Sequence, residues 1–551
     1  MEDLYNFWYE NRNIWFNATV EDDIKINEYF SKFFDEKIDT EKMLENRKIA
    51  VGTVILYDQI SRHVARASDK LTLFKKPIDK YHFYKKTNKL AIEYAEKVYG
   101  YYRYAFFADE YVFVMLPLRH SYDFNKIKFV MSETWDRIEH ERENTEIEKY
   151  KRFLKATYER TIKQSENSQV IRFYSKEEEN KDDKIDFREI YENYKDILDK
   201  FKNPLLAEDI LPELILKYKE NKKKDFVNKF KESLDSLPKT SYILSISGGV
   251  DSMVCSHVLK ILNIPFKCVH INYNNRTESE EEEKFVIDWC KLNNIDLYVR
   301  KIDEINRPQC MKYNLRDTYE SYTRDVRYGT YLKTDKDAYV ILGHNQDDCF
   351  ENILTNISHK SKYENLYGMD LVSPITHLSQ TINFARPMLT IPKKEIYEYA
   401  SVLSIPFLWD STPKWSQRGK IRDVVRPTLE SWDSEMIPGL FQVSKMLKET
   451  MELVDIMVDS WKERIIDNTL TCKINEIPSN NIFWKKLFEK IGVRITNRSL
   501  DGFMFLIKKV KDDKIKIDIN AFINYEINKG CQIKLKKIKD EKVLVIINKR
   551  E

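Results

Sequence analysis

The stretch Ser245-Ile246-Ser247-Gly248-Gly249-Val250-Asp251-Ser252 decides how the chain is read. It follows a short apolar run, residues 242–246, and precedes an apolar helical pattern that continues through Leu262. Two adjacent glycines let the backbone turn sharply and approach a ligand closely. The hydroxyls of Ser247 and Ser252, with backbone N–H groups at the start of the next helix, can surround phosphate oxygens. Asp251 is out of place beside a phosphate unless a divalent cation stands between them, which a Mg²⁺-nucleotide supplies. The segment lacks the Walker pattern G-x-x-x-x-G-K-[ST], so γ-phosphoryl transfer is disfavoured.

Around this loop the β-rich runs SYILSI, PFKCVHI, DLYVRKI and AYVILGH alternate with helical patterns, which predicts a parallel sheet with crossover helices over residues 239–440. Residues 1–170 show aromatic and aliphatic side chains at three- and four-residue spacings and read as an all-α domain. Residues 171–238 read as linker and helices, and the charge run KEEENKDDKID at 176–186 reads as a solvated connection. Residues 441–551 read as a helix followed by a small α+β region, in which KIKIDI, FINYEI, CQIKLKKI and KVLVII alternate as antiparallel strands do. Its local excess of basic residues reads equally as a lysine-rich solvated β face or as an RNA-binding surface.

Composition narrows the classes. At a prior of about 150 residues per domain, 551 residues make three or four domains. With 42% apolar and 33% charged residues and only 12 Gly and 15 Pro, the chain is neither collagen-like nor wholly disordered. A net charge of +3 provides no overall basic field, so any nucleic acid must be met by local patches. The cysteines are dispersed and never spaced C-x-x-C, which argues against a disulfide framework or a zinc ribbon and points to a reducing compartment. The first residues do not resemble a secretory signal, and no run approaches the ~18 apolar residues of a membrane span. A soluble, cytoplasmic protein is expected.

At this point the loop resembles that of the PP-loop ATP pyrophosphatases, which cleave ATP between its α and β phosphates and transfer AMP; the resemblance implies their α/β doubly wound parallel sheet, the adenine nucleotide α-hydrolase-like fold. Further segments are similar, in order, to tRNA(Ile)-lysidine synthetases. They are His270-Ile271-Asn272 with Arg276 and Ser279-Glu280-Glu281-Glu282; Glu320 with Arg324, Arg327 and Tyr328; and the segment Leu342-Gly343-His344-Asn345-Gln346-Asp347-Asp348-Cys349-Phe350-Glu351. Gly368-Met369, Arg386-Pro387, Asp410-Ser411-Thr412-Pro413 and Arg418-Gly419-Lys420-Ile421-Arg422 follow. Asn345 stands where that family has a second histidine, Cys349 where it has glutamine, and Pro413 and Gly419 where it has asparagines.

The resemblance implies an ATP-dependent carbon–nitrogen ligase with ATP and Mg²⁺ as cofactors. Its partners would be the anticodon stem-loop of a tRNA and L-lysine. ATP would bind at Ser247, Gly248, Gly249, Val250, Asp251, Ser252 and Asn272, with Mg²⁺ held through Asp251 and Asp347. The catalytic set would be Asp251, Asp347, Asp348, Glu351 and His344. Spacings of three and four residues put Asp347, Asp348 and Glu351 on one helical face. Arg276, Arg324, Arg327, Arg418 and Arg422 would contact phosphates or tRNA, as guanidinium groups do bidentately. AMP would go to the wobble cytidine of tRNA(Ile), and lysine would then replace it. Two other readings stay open: another PP-loop AMP-transferring tRNA-modification or amidotransfer enzyme, and a degenerate RNA- or protein-binding scaffold.

The N-terminal region is similar to an uncharacterised helical bacterial family marked by F-W-F, D-Q-x-x-R and P-L-x-H-S. Here these are Phe7-Trp8-Tyr9, Asp58-Gln59-Ile60-Ser61-Arg62 and Leu116-Pro117-Leu118-Arg119-His120-Ser121. Phe7, Trp8 and Trp15 read as core, and helices of this kind resemble scaffolds that dock a protein partner.

Overall fold

The computed structural model describes residues 1–36, 38–71, 77–163, 170–175, 194, 212–359, 366–408, 417–466, 469–473, 476–493, 495–512, 523–528, 531–537 and 542–549. The charge run at 176–186, the segment Asp410-Ser411-Thr412-Pro413 and the expected strand KIKIDI at 514–519 lie outside the described residues. The chain divides into two compact units. One comprises Met1–Gly343, Val372–Pro387 and Lys394–Asp410; the other comprises His344–Leu371, Met388–Lys393 and Ser411–Glu551.

The first unit opens with helices, among them Val20–Phe30, Arg47–Ile55, Ala108–Arg119, Phe124–His140 and Asn144–Lys163. Thr19 and Asp22 close a capping box at the start of Val20–Phe30, satisfying N–H groups that the helix cannot. Leu56–Ile60 is a single π turn that carries Asp58 and Gln59 into the helix Ser61–Leu71. The inward faces bury Trp8, Tyr111, Phe113 and Tyr158, and of the aromatics expected in the core Phe7 and Trp15 are half-buried against it.

These helices lead into a seven-stranded sheet. Its strands are β1 (Ile171–Tyr174), β2 (Tyr242–Ser245), β3 (Phe266–Asn272), β4 (Leu297–Lys301), β5 (Tyr339–Ile341), β6 (Val372–His377) and β7 (Gln380–Ala385), in the order β1-β4-β3-β2-β5-β7-β6. The five inner strands are parallel, as the alternation of runs predicts, and β1 and β6 pair antiparallel at the edges. Strand β1 is absent from the sequence reading, which assigns its residues to linker and helices. The chain leaves β2 toward β3 on one side while β5 pairs β2 on the other, so the carboxyl ends of β2 and β5 form the topological switch point.

Helices and sheet in this unit share one hydrophobic cluster, which contains Trp135, Tyr158, Val269, Tyr322 and Phe384. The Tyr158 hydroxyl accepts from Trp135 Nε1 at 2.9 Å and donates to the Glu304 carbonyl at 2.9 Å.

The second unit carries the helices Gln346–Ser358 and Met436–Glu463 and an antiparallel sheet. Its strands are β8 (Ile465–Ile466), β9 (Thr469–Lys473), β10 (Ile523–Asn528), β11 (Cys531–Lys537) and β12 (Lys542–Lys549), in the order β10-β11-β12-β9-β8. Trp461, Trp484, Phe488 and Phe503 pack its core with the helices Asn481–Lys490 and Asn497–Lys511. Among the described residues no helix is long and apolar enough to cross a membrane. Cys255, Cys268, Cys290, Cys310 and Cys472 are buried free thiols, and Cys349 is buried too.

Candidate functional site

The loop after β2 folds around its two serines. Ser252 Oγ accepts from Ser247 N at 3.1 Å and donates to the Gly249 carbonyl at 2.9 Å, and the two serine hydroxyls lie 3.2 Å apart. Gly248 sits at φ +84°, the left-handed region open to glycine, and a Cβ there would meet Leu408 Cδ1 at 2.7 Å. Leu408 N in turn donates to the Gly248 carbonyl at 2.8 Å, tying the loop down. The helix Val250–Ile261 starts at Gly249, which supplies no side-chain cap, so its first turn presents the positive end of the dipole without a resident acceptor from the cap. Ser247 is exposed, Asp251 half-buried and Ser252 buried.

Residues that the sequence reading did not name as a site hold this loop in place. His270 Nδ1–H donates to the Ile246 carbonyl at 2.9 Å, and burial lowers the imidazole's pKa, favouring the neutral ring. The buried Tyr331 hydroxyl bonds Ser245 Oγ at 2.7 Å. Gly343 follows β5 and presses on the first turn of the helix: a Cβ there would lie 2.9 Å from Asp251 Cβ and 3.2 Å from Ser252 N.

Asn272 is buried at the end of β3 with its carboxamide committed to the turn. Its Nδ2 donates to the Ser279 carbonyl and to Glu283 Oε2, and its Oδ1 accepts from Asn274 N. Arg276 pairs with Glu282 at 2.6 Å, and burial raises the Glu282 carboxyl above its ordinary value although Arg276 opposes it. Arg324 is exposed on the helix Arg316–Thr334, and Arg327, one turn on, is half-buried with an Nε that has no hydrogen-bond partner among the described residues.

The rest of the expected set begins at His344 and belongs to the second unit. Asn345, the departure from the second histidine, caps the helix Gln346–Ser358. Its Oδ1 accepts from Asp347 N and Asp348 N, and Asp348 Oδ2 accepts from Asn345 N at 3.1 Å. Asp348 therefore does capping work, while Asp347 and Glu351 face a row of arginines. Asp347 accepts from Lys393 N and pairs with Arg426. Glu351 Oε1 accepts from Arg422 Nε at 3.0 Å and Nη2 at 2.8 Å, and Arg418 stands 3.6 Å from Oε2. Glu351 is 2% exposed, and burial raises its carboxyl above the ordinary value although Arg422 pulls it down. Arg418, Arg422 and Arg426 are spaced four apart along residues 417–432, interrupted by a π segment at Ile421–Val425. Arg426 was missed; its spacing from Arg422 was the signal that could have found it. His344 is half-buried.

Among the described residues no group of three or more His, Cys, Asp or Glu side chains is arranged to hold a metal ion. Mg²⁺ bound with nucleotide phosphates needs only one or two protein carboxylates, and Asp251 in the first turn after the loop fits that demand.

Residues 222–429, which include the β2–loop–helix cradle, match the family described as the PP-loop domain. Residues 4–203 match a bacterial protein family of unknown function, DUF924. Within the PP-loop class the chain is similar to the tRNA(Ile)-lysidine synthase of Malacoplasma penetrans, 25% identical over 301 residues that are 53% of this chain and 98% of that one. It is also similar to that of Mesoplasma florum, 29% identical over 297 residues, 51% of this chain and 69% of the relative. Among solved structures, the U34-tRNA thiolase NcsA of Methanococcus maripaludis overlays at TM-score 0.35 with 17% identity, covering 42% of this chain and 80% of its own.

Proposed function

We propose that the chain is a lysidine-forming tRNA ligase. ATP binds at Ser247–Ser252 with its phosphates over the loop, and AMP is transferred to the oxygen on carbon 2 of the wobble cytidine in a tRNA(Ile) with a CAU anticodon. The ε-amine of lysine then attacks that carbon and AMP leaves with the oxygen. Adenylation answers a chemical need, because a cytosine carbonyl oxygen is a poor leaving group until it belongs to AMP. The observation that carries this reading is the loop itself: Gly248 in the left-handed region, and a helix start whose cap residue brings no side-chain acceptor.

In this reading Asp251 would hold Mg²⁺, which would supply positive charge to offset that on the departing pyrophosphate. Ser247 and Ser252 orient the phosphate oxygens, and His270 keeps the loop carbonyl in register without carrying charge itself. Asn272 acts by shaping the β3 turn, since its carboxamide is already spent. Arg276, Arg324 and Arg327 serve phosphate or tRNA contacts. An anion at Arg418 or Arg422 has to compete with Glu351. A tRNA substrate places the protein in the cytoplasm.

The test is mass spectrometry of tRNA(Ile) with a CAU anticodon after incubation with the chain, ATP and lysine. A gain of one lysine less water, dependent on both small substrates and lost in Asp251→Ala, supports the reading. No gain, beside a bacterial lysidine synthase that does modify the same tRNA, overturns it. ATP cleavage to AMP and pyrophosphate with a different acceptor would keep the domain's chemistry and reassign its substrate.

A further inference from the structure

The helical part of the first unit contains a cavity of about 260 Å³ that the loop chemistry does not use. Trp15, Phe113 and Phe153 form aromatic walls, with Trp15 and Phe113 edge to face at 4.8 Å between ring centroids. Arg119, Lys149 and Arg152 reach it from two helices, Ala108–Arg119 and Asn144–Lys163. The acid among the lining residues, Asp109, is shared by Arg12 and Lys149, each at 3.2 Å. The walls therefore carry a surplus of positive charge.

Arg119 is the unusual member. Its guanidinium lies 4.9 Å from the centroid of the Phe153 ring, and its Nε is buried with no hydrogen-bond partner among the described residues. Burial, and then the charge of Arg160, push its pKa down to about 10. A guanidinium at the end of a helix gains from the dipole there, but that gain is open to a solvated side chain and does not require stripping Arg119 of water. A half-buried guanidinium whose Nε has no partner among the described residues gives up solvation that an arriving anion would replace.

We propose that this cavity binds a small aromatic anion, an aryl carboxylate or aryl phosphate, whose ring lies among Trp15, Phe113 and Phe153 and whose charged oxygens pair with Arg119. Guanidinium meets either oxyanion through paired N–H donors, and the aromatic walls accept a flat apolar body. The volume lies below the range that drug-sized ligands fill, which limits the occupant to one substituted ring. Arg152, exposed at the rim, adds a second cation toward the entrance.

The test uses the full chain. Crystals are soaked separately with 4-bromobenzoate and 4-bromophenyl phosphate, and bromine is located by anomalous scattering. In parallel, benzoate, phenyl phosphate and neutral benzamide are titrated calorimetrically into the wild type, Arg119→Gln and Arg152→Ala. Expected are bromine between Trp15 and Phe153, benzamide binding at least tenfold weaker than the better anion, a tenfold loss in Arg119→Gln and a smaller loss in Arg152→Ala. The anion that binds more tightly distinguishes carboxylate from phosphate. Bromine found nowhere, or only at Ser247–Ser252, overturns the proposal, as does equal binding of benzamide. If Arg119→Gln fails to fold, the comparison of anions with benzamide on the wild type and the Arg152→Ala titration decide in the same two directions.

Discussion

Gly343 and Asp251 approach so closely that a methyl group on the glycine would lie 2.9 Å from the Asp251 Cβ. The contact follows from topology: β2 and β5 pair in parallel, so the segments leaving their carboxyl ends run side by side. The atoms a methyl group would meet belong to backbone and Cβ, which cannot swing away as a flexible side chain would.

Gly343→Ala should therefore push the first turn of Val250–Ile261 out of place, at an overpacking cost of about 1–3 kcal/mol. The expected result is at least a tenfold fall in ATP–pyrophosphate exchange with only a modest drop in melting temperature. Exchange at the wild-type rate would show that the loop tolerates the shift.

Arg422→Ala removes both hydrogen bonds to Glu351 and leaves a buried carboxylate against Arg418 alone. Breaking a buried pair from one side costs about 3 kcal/mol, less here because Arg422 is 36% exposed. Burial raises the Glu351 carboxyl above its ordinary 4.5. A raised folded value means that the folded state binds the proton more tightly, so this group's contribution to stability falls as pH rises through that value. Urea unfolding from pH 4 to pH 8 should give a flatter profile for Glu351→Gln than for the wild type; identical slopes would remove Glu351 from the account.

Asp58 has the opposite sign. Burial works to raise its carboxyl, but the hydrogen bond from His120 and the charge of Arg62, 2.9 Å away, outweigh it and hold the value at about 2, against an ordinary 3.8. A depressed folded value contributes stability that is complete above pH 3.8 and lost as pH falls toward 2, worth about 2 kcal/mol. Asp58→Asn should be destabilised by that order at pH 7, and its deficit relative to the wild type should shrink below pH 4. A deficit independent of pH would mean that the aspartate acts through shape alone.

Tyr158→Phe deletes one hydroxyl that serves two buried groups, the Trp135 indole N–H and the Glu304 carbonyl. Leaving such groups unsatisfied costs about 1–3 kcal/mol. Because the hydroxyl joins helices to sheet within one core, the urea midpoint of this unit as a whole should fall. A change confined to the helices, with the sheet melting as before, would contradict the shared core.

Features settled by neighbours along the chain were legible from the residue string. The apolar run of β2, the paired glycines and the helix after them follow from local steric and burial preferences, and they brought the phosphate loop and the parallel sheet into view. The antiparallel sheet near the end was readable for the same reason, from its alternation. Asn345 and Asp348 belong with these, since a cap and its partner three residues on form a local pattern.

Only the tertiary structure decided which groups meet across long separations. Glu351 finds Arg422 at a distance of 71 residues and Asp347 finds Arg426 at 79, so acids that spacing places on one helical face are held by arginines. Tyr158 reaches Glu304 across 146 residues, merging a helical region and a sheet that composition separates. Strand β1 exists because the edge of β4 accepts its backbone, a pairing that Ile171–Tyr174 cannot announce by itself. The physical reason is common to all of these: hydrogen bonds and ion pairs depend on where the fold brings atoms together, whereas turns, caps and strands depend mainly on residues adjacent in the chain.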